Sequence, residues 1–356
     1  MTSPYHQQHR PPSRKPTSLD VARVAGVSQS AVSRAFTEGG KVAKKTRAKI
    51  LKVAEEIGYL PNVHARSLAT RRTGVIALVM GDITNPFCPE VLETFASRLQ
   101  TSGKCMMLFK ISRDGPIDRA LPDLLRYQVD GLIIATALPG HSIPELCIKA
   151  HAPVVLFNRT LWSAHVDAVC CDNLAGGRIV ADALLNSGHQ RFGFIAGLEG
   201  ASTSIERERG FSERILARTG QQPLRAQGDF TYDGGSRAAV RLFACDEPPD
   251  AVFAANDIMA LGALDAIRME LGRRVPEHVS VVGFDDIAAA AWPSYSLTTF
   301  RQPVNRMIEE TLRILAERIA SPQRGPATVL VPGRLIRRGS ARLAVPASGA
   351  ETTVFR

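Results

Sequence analysis

From Thr73 onward the chain alternates short β-branched, apolar runs with longer amphipathic stretches, and this alternation constrains its fold more than any other feature. The runs at 75–80, 105–109, 131–135, 154–157, 192–196, 251–254 and 279–283 read as strands. Helical periodicity fills the gaps between them, at 88–101, 118–127, 142–150, 173–187, 203–218, 234–245, 257–271 and 304–320. Strands joined through crossover helices imply parallel sheets covered on both faces. In such sheets ligands bind beyond the carboxyl ends of the strands.

Polar and aromatic residues gather at those ends. Asp82, Asn85 and Phe87 follow the first run, and Asn158 and Arg159 the fourth. Ser202, Ser204 and Arg207 follow the fifth, Asn256 and Asp257 the sixth, and Phe284, Asp285 and Asp286 the seventh. Asn, Asp and Arg side chains bond hydroxyl groups, while Phe87, Phe230 or Phe284 covers an apolar face, so the set suits a hydroxylated small molecule. Taken singly, each polar residue serves equally well as a helix cap, Asn256, Asp257 and Asn173 above all.

Charge divides the chain differently. Residues 1–72 hold fourteen Lys and Arg against four Asp and Glu, and the remainder holds thirty of each, so the whole net charge of +10 sits in the first fifth. A polyanion-binding head on a neutral body accounts for this; a solvated basic tail is the alternative. Residues 1–16 have no apolar core and read as a disordered arm rather than a secretory signal. No run of 18 apolar residues is present to span a membrane. The six cysteines form no C-x-x-C pair, which fits reduced thiols in the cytoplasm.

The head carries a specific pattern. Thr17 followed three residues later by Asp20 is a capping-box start, and Leu19, Val21, Ala22, Val24 and Ala25 make an apolar stripe. Gly26 ends that helix, Ser28 caps the next, and Ala31, Val32 and Ala35 face inward there. Two short helices about a glycine turn make a helix-turn-helix, with an ordinary helical hairpin as the alternative. The second helix presents Gln29, Ser30 and Arg34 as base readers, Gln suiting adenine and Arg guanine. A third helix at 44–57 turns Ile50, Leu51, Val53, Ala54 and Ile57 inward and displays Lys44, Lys45, Arg47, Lys49 and Lys52 to phosphates. Thr17, Ser28, Ser33, Asn62 and Arg66 join them as expected phosphate contacts. Residues 61–73 make a hinge, in which Leu68 suits either a minor-groove wedge or packing on its own domain.

Phosphate-cradle, dinucleotide, zinc-protease and nucleophile-elbow motifs are absent, and His6, His9, His189 and His278 read as isolated surface residues. No metal, cofactor or enzyme activity is expected.

The runs TSLDVARVAGVSQSAVSRAF, TRAKIL and GYLPNVHARSLATRRTGVIALVMGDITNPF resemble the head, hinge and first core strand of the lactose/galactose-repressor family of bacterial transcription regulators. STSIERERGF, FAANDIMALGA, VSVVGFDD and LTTFRQP resemble its core motifs, so the likeness covers nearly all of residues 17–340. The resemblance implies a helix-turn-helix head at 17–60 and a hinge helix and linker at 61–73. It further implies a periplasmic-binding-protein-like core at 74–340, built from two parallel α/β subdomains joined by three crossovers. It implies a homodimer or tetramer on palindromic double-stranded DNA, with Leu68 in the minor groove. It also implies a sugar or sugar-acid effector held by Asp82, Phe87, Asn158, Arg159, Arg207, Phe230, Asn256 and Asp285. The tail at 341–356 lacks a leucine heptad.

Two positions depart from the family pattern. Ala43, Lys44 and Lys45 stand where similar proteins carry a Ser cap and acidic residues. Ile205 stands where sugar-responsive relatives often carry Arg. A transport protein would use the same clamp without a basic head, and an architectural DNA-binder would need the head alone.

Overall fold

The computed structural model describes residues 15–36, 39–60, 72–81, 83–111, 126–135, 152–161 and 166–344. Two compact units meet at the Thr73–Gly74 boundary.

The first unit is three helices, α1 (Ser18–Ala25), α2 (Gln29–Ala35) and α3 (Lys44–Glu56). Thr17 and Asp20 form the reciprocal cap: Asp20 N–H donates to Thr17 Oγ1, and Thr17 N–H returns to Asp20 Oδ2 at 3.0 Å. Gly26 closes α1 at φ 64°, a left-handed conformation that a side chain disfavours. Ser28 Oγ accepts from Ala31 N–H at 3.2 Å and starts α2. The core is Val21, Ala22, Ala25, Val32, Ala35, Ile50, Val53 and Ala54. Leu19, Val24 and Leu51, expected to face inward, are exposed instead. In so small a domain the stripe is narrower than the apolar run, and Val21, Ala25 and Val32 already fill the crossing of the helices.

The second unit holds two six-stranded sheets. In lobe one the order is β11-β5-β4-β3-β1-β2, with strands β1 (Val75–Met80), β2 (Cys105–Lys110), β3 (Gly131–Ala135), β4 (Val154–Phe157), β5 (Asp167–Cys171) and β11 (Thr328–Val331). All pairs within it are parallel. Lobe two runs β12-β10-β9-β8-β6-β7, from β6 (Phe192–Ala196), β7 (Leu224–Gln227), β8 (Ala251–Ala254), β9 (Ser280–Asp285), β10 (Thr298–Arg301) and β12 (Arg334–Ile336). Here β12 pairs antiparallel to β10, so one edge departs from the all-parallel expectation.

Strands β5, β7, β10, β11 and β12 escaped the sequence reading. Most of them are edge strands or short, and LRAQ and TTFR lack the apolar run by which the others show. The last strand of the predicted set reaches Asp285, two residues further than expected, so Phe284 and Asp285 belong to β9 itself. The predicted helix at 142–150 and most of 118–127 lie outside the described residues.

Between the strands lie α4 (Phe87–Thr101), α5 (Asn173–Leu185), α6 (Ser202–Thr219), α7 (Tyr232–Leu242), α8 (Asp257–Asp265) and α9 (Val304–Ala320). The chain passes between the lobes three times: from β5 into α5, from β10 into α9, and from β11 into β12. Helices α5 and α6 pack closely because Gly177 and Gly210 oppose the partner backbone. A Cβ at Gly210 would lie 2.1 Å from the Leu174 carbonyl oxygen, and one at Gly177 would lie 2.4 Å from that of Arg207.

His189 is buried, against the surface position expected of it. Its Nδ1 lies 3.0 Å from the Leu184 carbonyl and its Nε2 lies 2.8 Å from Ser280 Oγ. A carbonyl only accepts, so Nδ1 carries the proton and Nε2 accepts from the hydroxyl, and burial lowers the pKa of the ring. It is a satisfied core histidine. His278 is exposed, and His6 and His9 lie outside the described residues.

Candidate functional site: a cleft between two lobes and a helix-turn-helix face

The carboxyl ends of both sheets border one cleft of about 140 Å³. Lobe one contributes Met80, Phe87, Ala135, Asn158 and Arg159; lobe two contributes Ser202, Arg207, Phe230, Asn256 and Asp285. Met80 and Ala135 flank the reversal of strand order between β1 and β3, and Arg207 and Asn256 that between β6 and β8, where the topology rule puts a ligand; Asn158, Arg159 and Asp285 come from the next strands, β4 and β9.

Of the eight residues that the resemblance puts forward for an effector, Phe87, Asn158, Arg159, Arg207, Phe230, Asn256 and Asp285 all line this cleft. Asp82 lies outside the described residues. Three of the seven have left-handed backbone without being glycine: Asn158 at φ 55°, Phe230 at φ 57° and Asp285 at φ 118°. Such conformations cost free energy and persist where the surroundings enforce them, as at binding sites.

Arg207 is the centre of the electrostatics. Its side chain is 3% exposed; Nε donates to Asn173 Oδ1 at 2.8 Å, and Nη1 donates to the Ala255 carbonyl at 2.6 Å and reaches Asp285 Oδ1 at 3.4 Å. The guanidinium lies over the Phe284 ring. Phe284 is therefore a floor beneath Arg207, fully buried, and not the ligand-facing aromatic that the sequence suggested. Burial pushes the Asp285 carboxyl up to about 6, while Arg207 and a hydrogen bond from Gln302 pull it down. Burial also lowers the Arg159 guanidinium to about 10, which leaves it charged at neutral pH. The Oδ1 of Asn158 is buried beside the cleft without a hydrogen-bond donor among the described residues.

Other sequence expectations sort differently. Asn256 caps α8, its Oδ1 accepting from Met259 N–H at 3.2 Å, and lines the cleft as well. Asn173 caps nothing; Asp172 caps α5, and Asn173 turns inward to Arg207. Asp257 is a buried strut that accepts from Thr299 Oγ1 at 2.5 Å and from Ile287 N–H at 2.9 Å. Ile205 is 46% exposed and does not line the cleft, which Arg207 does. Glu206 was not singled out in the sequence, yet it is buried and accepts from Thr160 Oγ1 at 2.9 Å and from Asn173 Nδ2 at 3.3 Å. Among the described residues no group of His, Cys, Asp and Glu is arranged to hold a metal ion.

In the head, Gln29, Ser30, Ser33 and Arg34 are exposed, while Val32 and Ala35 are buried. Gln29 Nε2 donates to Ser18 Oγ at 3.1 Å, and Ser30 Oγ lies 3.0 Å from Ser28 Oγ. Helix α3 begins at Ala43 without a side-chain cap and has Lys44 and Lys45 in its first turn, so the departure read in the sequence is realised in the structure. Asn62, Arg66 and Leu68 lie outside the described residues.

Comparison with known proteins agrees with both halves. Residues 17–62 match "Bacterial regulatory proteins, lacI family", and residues 181–341 match "Periplasmic binding protein-like domain". The HTH-type transcriptional regulator CelR of Thermobifida fusca is 34% identical over 92% of this chain and 98% of its own length. This chain belongs to the lacI family of bacterial regulatory proteins. As a member of the family it is a DNA-binding transcription regulator. Among solved structures, the CelR–cellobiose complex matches 92% of this chain and all of that one at 33% identity and TM-score 0.70. The lac repressor dimer bound to operator and the anti-inducer ONPF matches 93% of this chain and all of that one at 26% identity and TM-score 0.84. Among the described residues no helix is long and apolar enough to cross a membrane.

Proposed function

We propose that this lacI-family regulator is a cytoplasmic, homodimeric repressor whose operator affinity is set by a small carbohydrate, a sugar or sugar acid, bound between the lobes. Residues 17–60 grip one half of a palindromic site, with Gln29, Ser30 and Arg34 at base edges. Thr17, Ser28, Ser33, Lys44 and Lys45 hold phosphates, together with Asn62 and Arg66 of the hinge at 61–73, and Leu68 wedges the minor groove. The core at 74–340 senses the effector, the tail at 341–356 supplies no leucine heptad for a tetramer made by a coiled coil, and the protein is not an enzyme. Effector changes the angle between lobes, hence the spacing of paired hinges and the cost of folding them on DNA.

One observation carries this reading: seven of the eight residues that the family resemblance puts forward for an effector converge on a single cleft. The cellobiose in the related CelR structure favours a carbohydrate. A dimer is favoured by Met269 and Trp292, which are 82% and 57% exposed on adjacent segments of lobe two, since Met and aromatic residues are enriched at interfaces.

The test is to recover the DNA fragments the full chain retains, then measure affinity for the recovered site and for random DNA at several salt concentrations. The recovered site should bind some ~10³-fold tighter than random DNA or more. A panel of sugars and sugar acids, cellobiose included, should then contain a member that changes operator affinity at saturation. No response across the panel would count against the effector class, and equal affinity for both DNAs would count against the repressor.

A further inference from the structure

Polar side chains, all buried except the half-buried Thr160, form one hydrogen-bonded chain that runs from lobe one through the cleft wall to two of the three passages between lobes. It begins at Thr160, just beyond β4, whose N–H donates to Ser202 Oγ at 3.1 Å and whose Oγ1 donates to Glu206 Oε1 at 2.9 Å. Both acceptors sit in the first turns of α6, in the other lobe. Glu206 Oε2 accepts from Asn173 Nδ2, and Asn173, wholly buried, opens α5 at the first passage. Asn173 Oδ1 holds Arg207 Nε, Arg207 reaches Asp285, and Asp285 Oδ1 accepts from Gln302 Nε2 at 2.7 Å. Gln302 is 3% exposed and stands in the second passage, between β10 and α9. Its Oε1 is buried with no hydrogen-bond partner among the described residues.

We propose that Asn173 and Gln302 are positioning residues that tie the cleft-lining pair Arg207 and Asp285 to the first and second passages, so that a shift of either side chain is transmitted to the hinge of the clamp. In a low-dielectric interior each member of such a network depends on its neighbours, because a lost partner leaves a desolvated group behind. Gln302 fits an adjustable end of the chain: one amide atom is committed to Asp285, and the other lacks a donor in this arrangement, a deficit that another arrangement of the passage can relieve. The inference rests on the reading of the cleft as the effector site, but the tie exists without a ligand and is tested without one.

The test is amide hydrogen exchange on the full chain, without ligand, comparing wild type with Gln302→Met, which keeps side-chain length and removes both polar atoms. The network predicts exchange faster by about tenfold or more at 172–176 and 203–207, with β1 and β8 unchanged. Acceleration confined to 300–305, or a uniform rise over the whole unit, would overturn the proposal. If Gln302→Met fails to fold, Thr160→Val at the opposite end decides: acceleration must then appear at 302–308 as well as locally, and a purely local change refutes the tie. A cleft that binds no carbohydrate would refute the proposed effector and leave this result standing.

Discussion

The guanidinium carbon of Arg207 lies 3.6 Å from the centroid of the Phe284 ring, so the cation of the cleft wall rests on an aromatic floor. A planar fork fits that stacked position and a lysine ammonium does not. Arg207→Lys should therefore lose the bonds to Asn173 and Ala255 and destabilise the core by about 2–3 kcal/mol, an amount urea denaturation reads directly. A variant as stable as wild type would show that stacking and fork geometry contribute nothing.

Asp285 makes stability depend on pH. Burial lifts its carboxyl to about 6 in the folded protein, so the folded state keeps a proton that the unfolded chain releases near its ordinary value of about 4. Stability is then highest below the unfolded value, falls as pH rises from about 4 to about 6, and levels off above. Asp257, raised by burial and by the Asp285 charge, acts in the same sense. Asp285→Asn should reduce the slope of Tm against pH in that window, and an unaltered slope would show that the carboxyl does not titrate there.

Gly210→Ala should force α5 from α6, since its Cβ would meet the Leu174 carbonyl at 2.1 Å. Overpacking of this kind costs about 1–3 kcal/mol, and here the obstacle is backbone. Gly325→Ala is the control, with nothing within 4 Å and no left-handed backbone, and should be neutral or stabilising by about 0.4–1 kcal/mol. Equal effects in thermal denaturation would remove close helix packing as the reason for Gly210.

How far the cleft was legible in the sequence follows from these residues. Phe87, Asn158, Arg159 and Asn256 are legible because strand ends mark cleft positions and their side chains suit a ligand, whereas Phe230 follows the unrecognised strand β7 and is reached through the family resemblance. The sequence leaves Phe284 as one of three candidates for the apolar face; a strand places successive side chains on opposite faces, and Asp285 takes the cleft side. Glu206, Asn173 and Gln302 were unreadable as a group. Their bonds join residues from 33 to 46 positions apart or lie at a passage between lobes, and no local pattern encodes such pairing. Asp257 reads as a possible cap in the sequence because its partner Thr299 is 42 residues away, on the strand β10 that has no apolar run.

Helix α3 gives a fourth prediction. Ala43 provides no cap and Lys44 and Lys45 oppose the helix dipole, so Ala43→Ser should raise the stability of the head by about 1 kcal/mol. Replacing Lys44 and Lys45 with Glu should also raise thermal stability slightly, while weakening DNA binding. Unchanged DNA affinity would mean that the two lysines do not meet phosphates.

The exposed face of α2 gives a fifth. Arg34→Ala should lose about 1–3 kcal/mol on the recovered site and little on random DNA, relaxing preference at one base pair. Lys49→Ala should weaken both alike and reduce the slope of log affinity against log salt by about one. Identical behaviour of the two variants would place Arg34 on the backbone rather than in the groove.

The three passages between lobes also order the birth of the fold. Lobe one is missing its edge strand until Thr328–Val331 has been made, and lobe two until Arg334–Ile336 has followed. On a ribosome the three-helix head can therefore close long before either sheet is complete. Until then β5 and β10 present open edges that only the last part of the chain can cover. Truncation shortly before Thr328 would thus leave an intact DNA-binding head attached to two unfinished sheets, and lobe one is completed only just ahead of lobe two.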